Sequence, residues 1–141
     1  MTAKPAKKLA VLACMDARLD PARLLDLNQG DAHVIRNAGG VVTDDAIRSL
    51  AISQHLLGTE EIVVIQHTDC GMQKAGDDEI TRLLAQHAGQ WPPFKPQTFT
   101  NLERNVRETV RALEESPFLL RRDRVRGFVY DVETGSLTEV V

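Results

Sequence analysis

The sequence predicts an α/β fold: a mostly parallel central β-sheet flanked by helices, with an antiparallel C-terminal edge strand. Three observations carry this. Short apolar runs alternate with longer stretches of helical spacing, the pattern of βαβ units. The run Glu61 to Gln66 (EIVVIQ) is apolar at consecutive positions, as a strand buried on both faces must be. The turn Glu133-Thr134-Gly135 separates the last two β-rich segments and favours an antiparallel return.

Leu9 to Ala13 reads as a buried first strand, followed by a loop and a short helix from about Pro21 to Leu27. Ala32 to Arg36 (AHVIR) is a second strand that ends at the turn Ala38-Gly39-Gly40. Thr43 then has the position of an N-cap, with Asp44 and Asp45 in the first turn, where negative charge favours the helix dipole. Ile47, Leu50, Ala51 and Leu57 share one face of that helix, and Gly58 is placed to end it. Glu61 to Gln66 is the third strand. Two further helices are expected over Asp77 to Ala88 and Leu102 to Glu115. The second has a Thr100/Glu103 capping box, a Leu102, Val106, Val110, Leu113 stripe, and a stop before Pro117. Between them Gln90 to Thr98 (QWPPFKPQT) is a proline-rich loop, with Trp91, Phe94 and Phe99 expected to anchor it. Gly127 to Val132 is a fourth strand, and Leu137 to Val141 the antiparallel edge. No linker divides the chain, so one domain over residues 1–141 is expected.

Composition narrows the function. The 141 residues carry 17 Lys+Arg against 20 Asp+Glu, a net charge of −3. Binding to nucleic acid or to an anionic membrane needs clustered positive charge, so neither partner is expected. No run approaches the roughly 18 apolar residues that span a bilayer, and the N-terminus lacks the apolar run of a secretory signal, which predicts a cytoplasmic protein. Cys14 and Cys70 are the two cysteines. In that compartment cysteines serve more often as ligands, nucleophiles or core residues than in a structural disulfide.

In an open α/β sheet, ligands bind beyond the carboxyl ends of the strands. Strand one runs into Cys14-Met15-Asp16-Ala17-Arg18, strand two into Arg36-Asn37-Ala38-Gly39-Gly40, and strand three into His67-Thr68-Asp69-Cys70-Gly71. If strands one and three are neighbours, Cys14, His67 and Cys70 converge. Two thiolates and an imidazole suit zinc, and three protein ligands leave a fourth tetrahedral position open, the mark of a catalytic site. The plainer alternatives are that the cysteines are small core residues and that Asp16 and Arg18 are a surface ion pair. His33, His55 and His87 are expected to be ordinary surface or hydrogen-bonded residues. Arg36, Gly39 and Gly40, next to the helix that starts at Thr43, fit either an anion site or a tight strand-to-helix turn.

The three motifs together, Cys-x-Asp-x-Arg, Arg-Asn-Ala-Gly-Gly and His-x-x-Cys-Gly, resemble the β-class carbonic anhydrases, most closely the short bacterial and mycobacterial type. The similarity is densest from Ala10 to Gly71 and returns in the ending RGFVYDVETGSLTEV. The resemblance implies one zinc held by Cys14, His67 and Cys70, with Asp16 and Arg18 as the catalytic Asp–Arg dyad and the Gly71 amide as a substrate-binding donor. It implies reversible hydration of carbon dioxide to bicarbonate through zinc-bound hydroxide, and a homodimer built around the sheet. One departure stands out. Many members carry a substrate-binding glutamine shortly before the first cysteine, where this chain has Ala3-Lys4-Pro5-Ala6-Lys7, and Gln29 does not occupy that place. Hydrolysis of carbonyl sulfide or carbon disulfide on the same zinc shell is the nearest alternative activity. A non-catalytic zinc-stabilised module is another, and a redox dithiol a third, although Cys14 and Cys70 lack CxxC spacing.

Overall fold

The most apolar strand segments take the centre of the sheet. In the computed structural model, which describes residues 1–141, β1 (Leu9–Cys14) lies between β2 (Ala32–Asn37) and β3 (Glu61–His67), and β4 (Val125–Tyr130) and β5 (Leu137–Glu139) extend the sheet beyond β3. The order is β2-β1-β3-β4-β5, parallel except for the β4–β5 pair. This is the predicted architecture, including the antiparallel C-terminal edge.

The chain first moves from β1 to β2 on one side, then crosses over to β3 on the other. Strand order therefore reverses at β1, which makes the carboxyl ends of β1 and β3 the point where a ligand site forms. Cys14 is opposite Asn37 in the register, and Ala13 is opposite Ile65. The sequence thus delivers its three motifs side by side.

The helices are α1 (Pro21–Leu24), α2 (Asp44–His55), α3 (Asp77–Ala88) and α4 (Leu102–Glu115). One face of the sheet packs Ala10, Leu12, Ile62 and Val64 against Ala46 and Leu50 of α2 and Val110 and Leu113 of α4. The other face gathers Val11, Ala13, Val63 and Ile65 with Leu19 and both cysteines. Alternate residues of each central strand feed opposite cores, as a period of two requires. Leu50 and Leu113 are fully buried, and truncating either to Ala costs about 2–5 kcal/mol.

Thr43 caps α2 as expected, accepting from the amide of Ala46, and Gly58 follows in the left-handed region at φ +78°. Four local expectations are corrected. The N-cap of α4 is Asn101, not Thr100: its Oδ1 accepts from the amide of Arg104 at 3.0 Å, so the helix begins one residue later than the capping box implied. α1 ends at Leu24 because Asp26 turns left-handed (φ +53°) and the Leu27 amide reaches back to the Ala22 carbonyl at 2.8 Å. β4 runs from Val125 to Tyr130; beyond it, Asp131 Oδ1 accepts from the amides of Glu133 and Thr134 and begins the turn early. Of the three loop aromatics only Phe99 packs inward; Trp91 and Phe94 are 71% and 60% exposed. The proline-rich loop is instead tied down at Thr98, whose amide and hydroxyl both donate to Asp77 Oδ1 at 2.7 and 2.6 Å.

Candidate metal centre

Cys14 is the last residue of β1 and His67 the last of β3, so the sheet itself fixes two of the three candidate ligands. Cys70 follows three residues later, at the start of a single 3-10 turn over Gly71–Gln73. The two sulfurs and an imidazole nitrogen all lie within 4.8 Å of one another, and all three residues are buried.

His67 presents a defined nitrogen to the sulfurs. Its Nδ1 lies 2.8 Å from the Thr68 carbonyl, which can only accept, so the proton is assigned to Nδ1. Nε2 is left with a lone pair. It is the one buried side-chain nitrogen or oxygen in the protein without a hydrogen-bond partner. Buried polar atoms are rarely orphaned, and a soft cation between Nε2 and the sulfurs would satisfy all three atoms. The donor set therefore fits zinc.

The thiols respond to each other as two acids sharing one site. The hydrogen bond from Cys70, with help from His67 and the backbone at Asp16 and Gly39, lowers the Cys14 pKa from 9.0 to about 4 against the effect of burial. The Cys70 thiol is pushed far up, by that hydrogen bond to Cys14 and by its own burial. For His67, burial works downward, but contact with the Cys14 sulfur and the Thr68 carbonyl outweighs it and the net shift is upward. Without a cation the cluster holds one thiolate comfortably and resists a second.

Asp16 sits at the rim of this cluster. Arg18 grips its carboxylate with two prongs, Nε to Oδ1 at 3.0 Å and Nη2 to Oδ2 at 2.8 Å, and the Arg18 amide donates to Oδ1 at 2.8 Å. These bonds hold the Asp16 carboxyl well below the usual carboxylate range. Arg18 also reaches the other motif, donating from Nη1 to Asp69 Oδ2 at 3.1 Å and from Nη2 to the Asp69 carbonyl at 2.9 Å. Gly71 borders open space: a Cβ added there meets nothing within 4 Å.

Two supporting roles were not predicted: Arg36 was considered only for an anion site or a tight turn, and Gln66 was not singled out. Arg36 turns its donors to the backbone: Nε and Nη2 donate to the Cys14 carbonyl at 3.0 and 2.9 Å, and Nη2 also to the carbonyls of Asp16 (2.8 Å) and Leu19 (2.9 Å). It binds the loop that carries Asp16 and Arg18 to the edge strand. Gln66, buried beside His67, donates to the Gly40 carbonyl and the Thr109 hydroxyl and accepts from Asn105, tying α4 to the glycine turn. A glutamine closing an otherwise apolar strand was the available signal. Gly40 needs its missing side chain, because a Cβ would lie 2.8 Å from the Cys14 nitrogen and 3.0 Å from the Ile65 carbonyl oxygen. The other histidines stay apart: His33 Nδ1 pairs with the Ser53 hydroxyl at 2.7 Å, His55 Nε2 with the Phe118 carbonyl at 3.0 Å, and His87 is exposed.

Comparison with known proteins agrees with this geometry. The carbonic anhydrase family profile matches residues 9–137. Beta-carbonic anhydrase 1 of Mycobacterium tuberculosis is 52% identical over 136 residues, covering 96% of this chain and 83% of that protein. The chain belongs to the β-carbonic anhydrase family. A carbonic anhydrase structure from Streptococcus mutans superposes with a TM-score of 0.93 at 44% identity, covering 100% of this chain and 86% of that one. A more distant relative, the carbon disulfide hydrolase of Acidithiobacillus thiooxidans, is 38% identical over 151 residues, covering 93% of this chain and 76% of that protein. In this β-carbonic anhydrase chain a cleft of about 770 Å³ lies between α2 and the proline-rich loop. It touches Asn37, Ala38 and Met72 behind the glycine turn, and none of Cys14, Asp16, His67 and Cys70 lines it.

Proposed function

We propose that this β-carbonic anhydrase catalyses the reversible hydration of carbon dioxide to bicarbonate and a proton, with one zinc per chain held by Cys14, His67 and Cys70. The observation that carries the reading is the orphaned Nε2 of His67, 3.7 Å from the Asp16 carboxylate, on an imidazole that brings a nitrogen within 4.8 Å of two sulfurs. Zinc bound there supplies Lewis acidity and lowers the pKa of a water molecule from 15.7 toward ~7.

The remaining chemistry belongs to the chain. Asp16, held ionised by Arg18, is acceptor-only across the working pH range. Its Oδ2 faces the ligand cluster and takes the O–H of the attacking water, which turns that oxygen's lone pair toward carbon. Arg18, gripping both carboxylate oxygens, fixes the plane of that acceptor, a role for which a planar fork is better suited than an ammonium. The Gly71 amide, beside open space, orients a substrate oxygen. Mass-spectrometric ¹⁸O exchange between carbon dioxide and water tests the reading: zinc-loaded protein accelerates exchange, and Cys70→Ala, which loses the metal, does not.

Hydrolysis of carbonyl sulfide or carbon disulfide is the second reading, favoured by the 38% identical relative. Hydrogen sulfide release from either substrate distinguishes it. We also propose that residues 1–141 form one domain, since one sheet carries all five strands. A homodimer is proposed around the open edge of β2, which pairs only with β1 and leaves Val34 42% exposed. A cytoplasmic location is proposed as well, supported by two free cysteines that suit a reducing compartment. No helix is long and apolar enough to cross a membrane. Light scattering on the eluted protein tests the dimer.

A further inference from the structure

We infer that Asp69 is a positioning residue of the site: it seats Arg18 from the side opposite Asp16, and so keeps the Asp16 carboxylate beside the cysteine–histidine cluster instead of within it. The inference rests on the function proposed above, and deepens it.

Arg18 is the only side chain bonded to both metal-bearing loops. Its Nε and Nη2 take the two oxygens of Asp16 after β1, while Nη1 takes Asp69 Oδ2 and Nη2 also takes the Asp69 carbonyl after β3. Asp69 offers two acceptors to one guanidinium because its backbone is left-handed, at φ +53°. That conformation is uncommon outside glycine, and Asp and Asn are among the residues that tolerate it. Lys74 pairs with the second oxygen of Asp69, so the carboxylate is itself held in place.

An exposed ion pair adds little to stability, and Arg18 and Asp69 are 46% and 54% exposed at their side chains. Their value is directional. A long arginine side chain gripped from one side alone can swing with its carboxylate; gripped from both, its plane is fixed. The direction matters because Asp16 Oδ2 is already 3.7 Å from His67 Nε2, within easy movement of a ligand position. Released from the Asp69 seat, the Asp16–Arg18 pair shifts as a unit and the carboxylate is free to enter the cluster.

The test uses Asp69→Gly, which accepts the left-handed backbone, and Asp69→Asn, which keeps size and one acceptor oxygen while removing the charge. The Arg18 Nε–H signal is followed by ¹⁵N NMR in metal-free protein, assigned with Arg18→Lys, and its hydrogen exchange with water is measured. Zinc content, kcat and KM for carbon dioxide hydration are then measured on loaded protein. In Asp69→Gly we expect Arg18 exchange to accelerate at least about 10-fold, zinc to stay at one per chain, and kcat to fall about 10- to 100-fold with KM nearly unchanged. Asp69→Asn falls between that and wild type. Unchanged Arg18 exchange in both variants overturns the inference, as does a wild-type kcat in Asp69→Gly. If the unsubstituted protein hydrates no carbon dioxide, the functional reading fails by itself, and Arg18 exchange alone still decides whether Asp69 seats the arginine.

Discussion

Asp16 Oδ2 lies 3.7 Å from His67 Nε2, near enough to join that nitrogen on a shared metal, yet both of its oxygens are held by Arg18. The site therefore combines three residues that could hold a metal with a carboxylate restrained at its edge. That restraint separates a residue that orients water from one that displaces it.

Asp16→Asn is expected to retain a full equivalent of zinc and to lose about 10²- to 10⁴-fold in kcat, the usual consequence of losing a positioned acid–base group. Elemental analysis with a hydration assay on the same sample checks it. A wild-type rate would reduce the dyad to a structural ion pair.

Arg36→Met removes four hydrogen bonds to the carbonyls of Cys14, Asp16 and Leu19. Cys14 and Leu19 are buried, so two of those carbonyls lose a partner that water does not freely replace, and stability should fall by about 1–3 kcal/mol. Activity should fall further, about 10- to 100-fold, because the loop carrying the dyad loses its tether. Urea unfolding beside kcat measures both. Equal small losses would mean that Arg36 merely supports the edge strand.

Gly40→Ala and Gly135→Ala form a matched pair. Both glycines have positive φ, +63° and +78°, but only at Gly40 would a Cβ meet backbone, whereas at Gly135 it meets nothing within 4 Å. Gly135→Ala should cost about 1–2 kcal/mol of strain, and Gly40→Ala about 2–4 kcal/mol, with zinc retention impaired because the clash falls on Cys14. Thermal unfolding and zinc content report both; equal costs would contradict the close approach.

How much of this was legible in the sequence depended on whether the signal was local. The strand runs, the Thr43 cap and the three motifs identify themselves within a few residues, and the predicted sheet followed from them; the convergence of Cys14, His67 and Cys70 depended on strands one and three being neighbours, as β1 and β3 are. The tethering roles of Arg36, considered only for an anion site or a tight turn, and of Gln66 were missed because their partners lie 17 to 43 residues away. An arginine on an exposed edge strand carries no mark that its donors will face three carbonyls. The Asn101 cap was missed because Thr100 and Glu103 formed an equally good local pattern, and the choice between neighbouring caps is made by how α4 settles on β3 and β4. Trp91 and Phe94 were expected to anchor their loop because large aromatics usually bury; here Asp77 holds the loop with hydrogen bonds instead.

The thiols give a prediction about pH. In metal-free protein Cys14 ionises at about 4 while Cys70 is raised above its ordinary 9.0, so one thiolate per chain is expected from about pH 5 to about pH 8. The sign for stability follows. Cys14 is depressed on folding, so its contribution is complete above the unfolded value of 9.0 and is lost as pH falls toward 4. Cys70 is raised, so its contribution is present below 9.0 and lost above it. Metal-free stability from this pair should rise with pH up to about 9 and then decline. Ultraviolet thiolate absorbance checks the first statement, and Cys14→Ser should remove the signal. A single step near the ordinary thiol value would contradict it.

The most direct measurement is stopped-flow hydration of carbon dioxide by protein of known zinc content, compared with the same protein after chelation, from pH 6 to pH 9. Two thiolates and a neutral imidazole cancel the charge of the zinc ion, so its water should be less acidic than the ~7 of a three-histidine shell. The account predicts that hydration appears only in zinc-loaded protein, scales with zinc content, and climbs with pH to a midpoint on the alkaline side. A fully zinc-loaded protein that leaves the uncatalysed rate unchanged, or whose rate falls as pH rises, would contradict it.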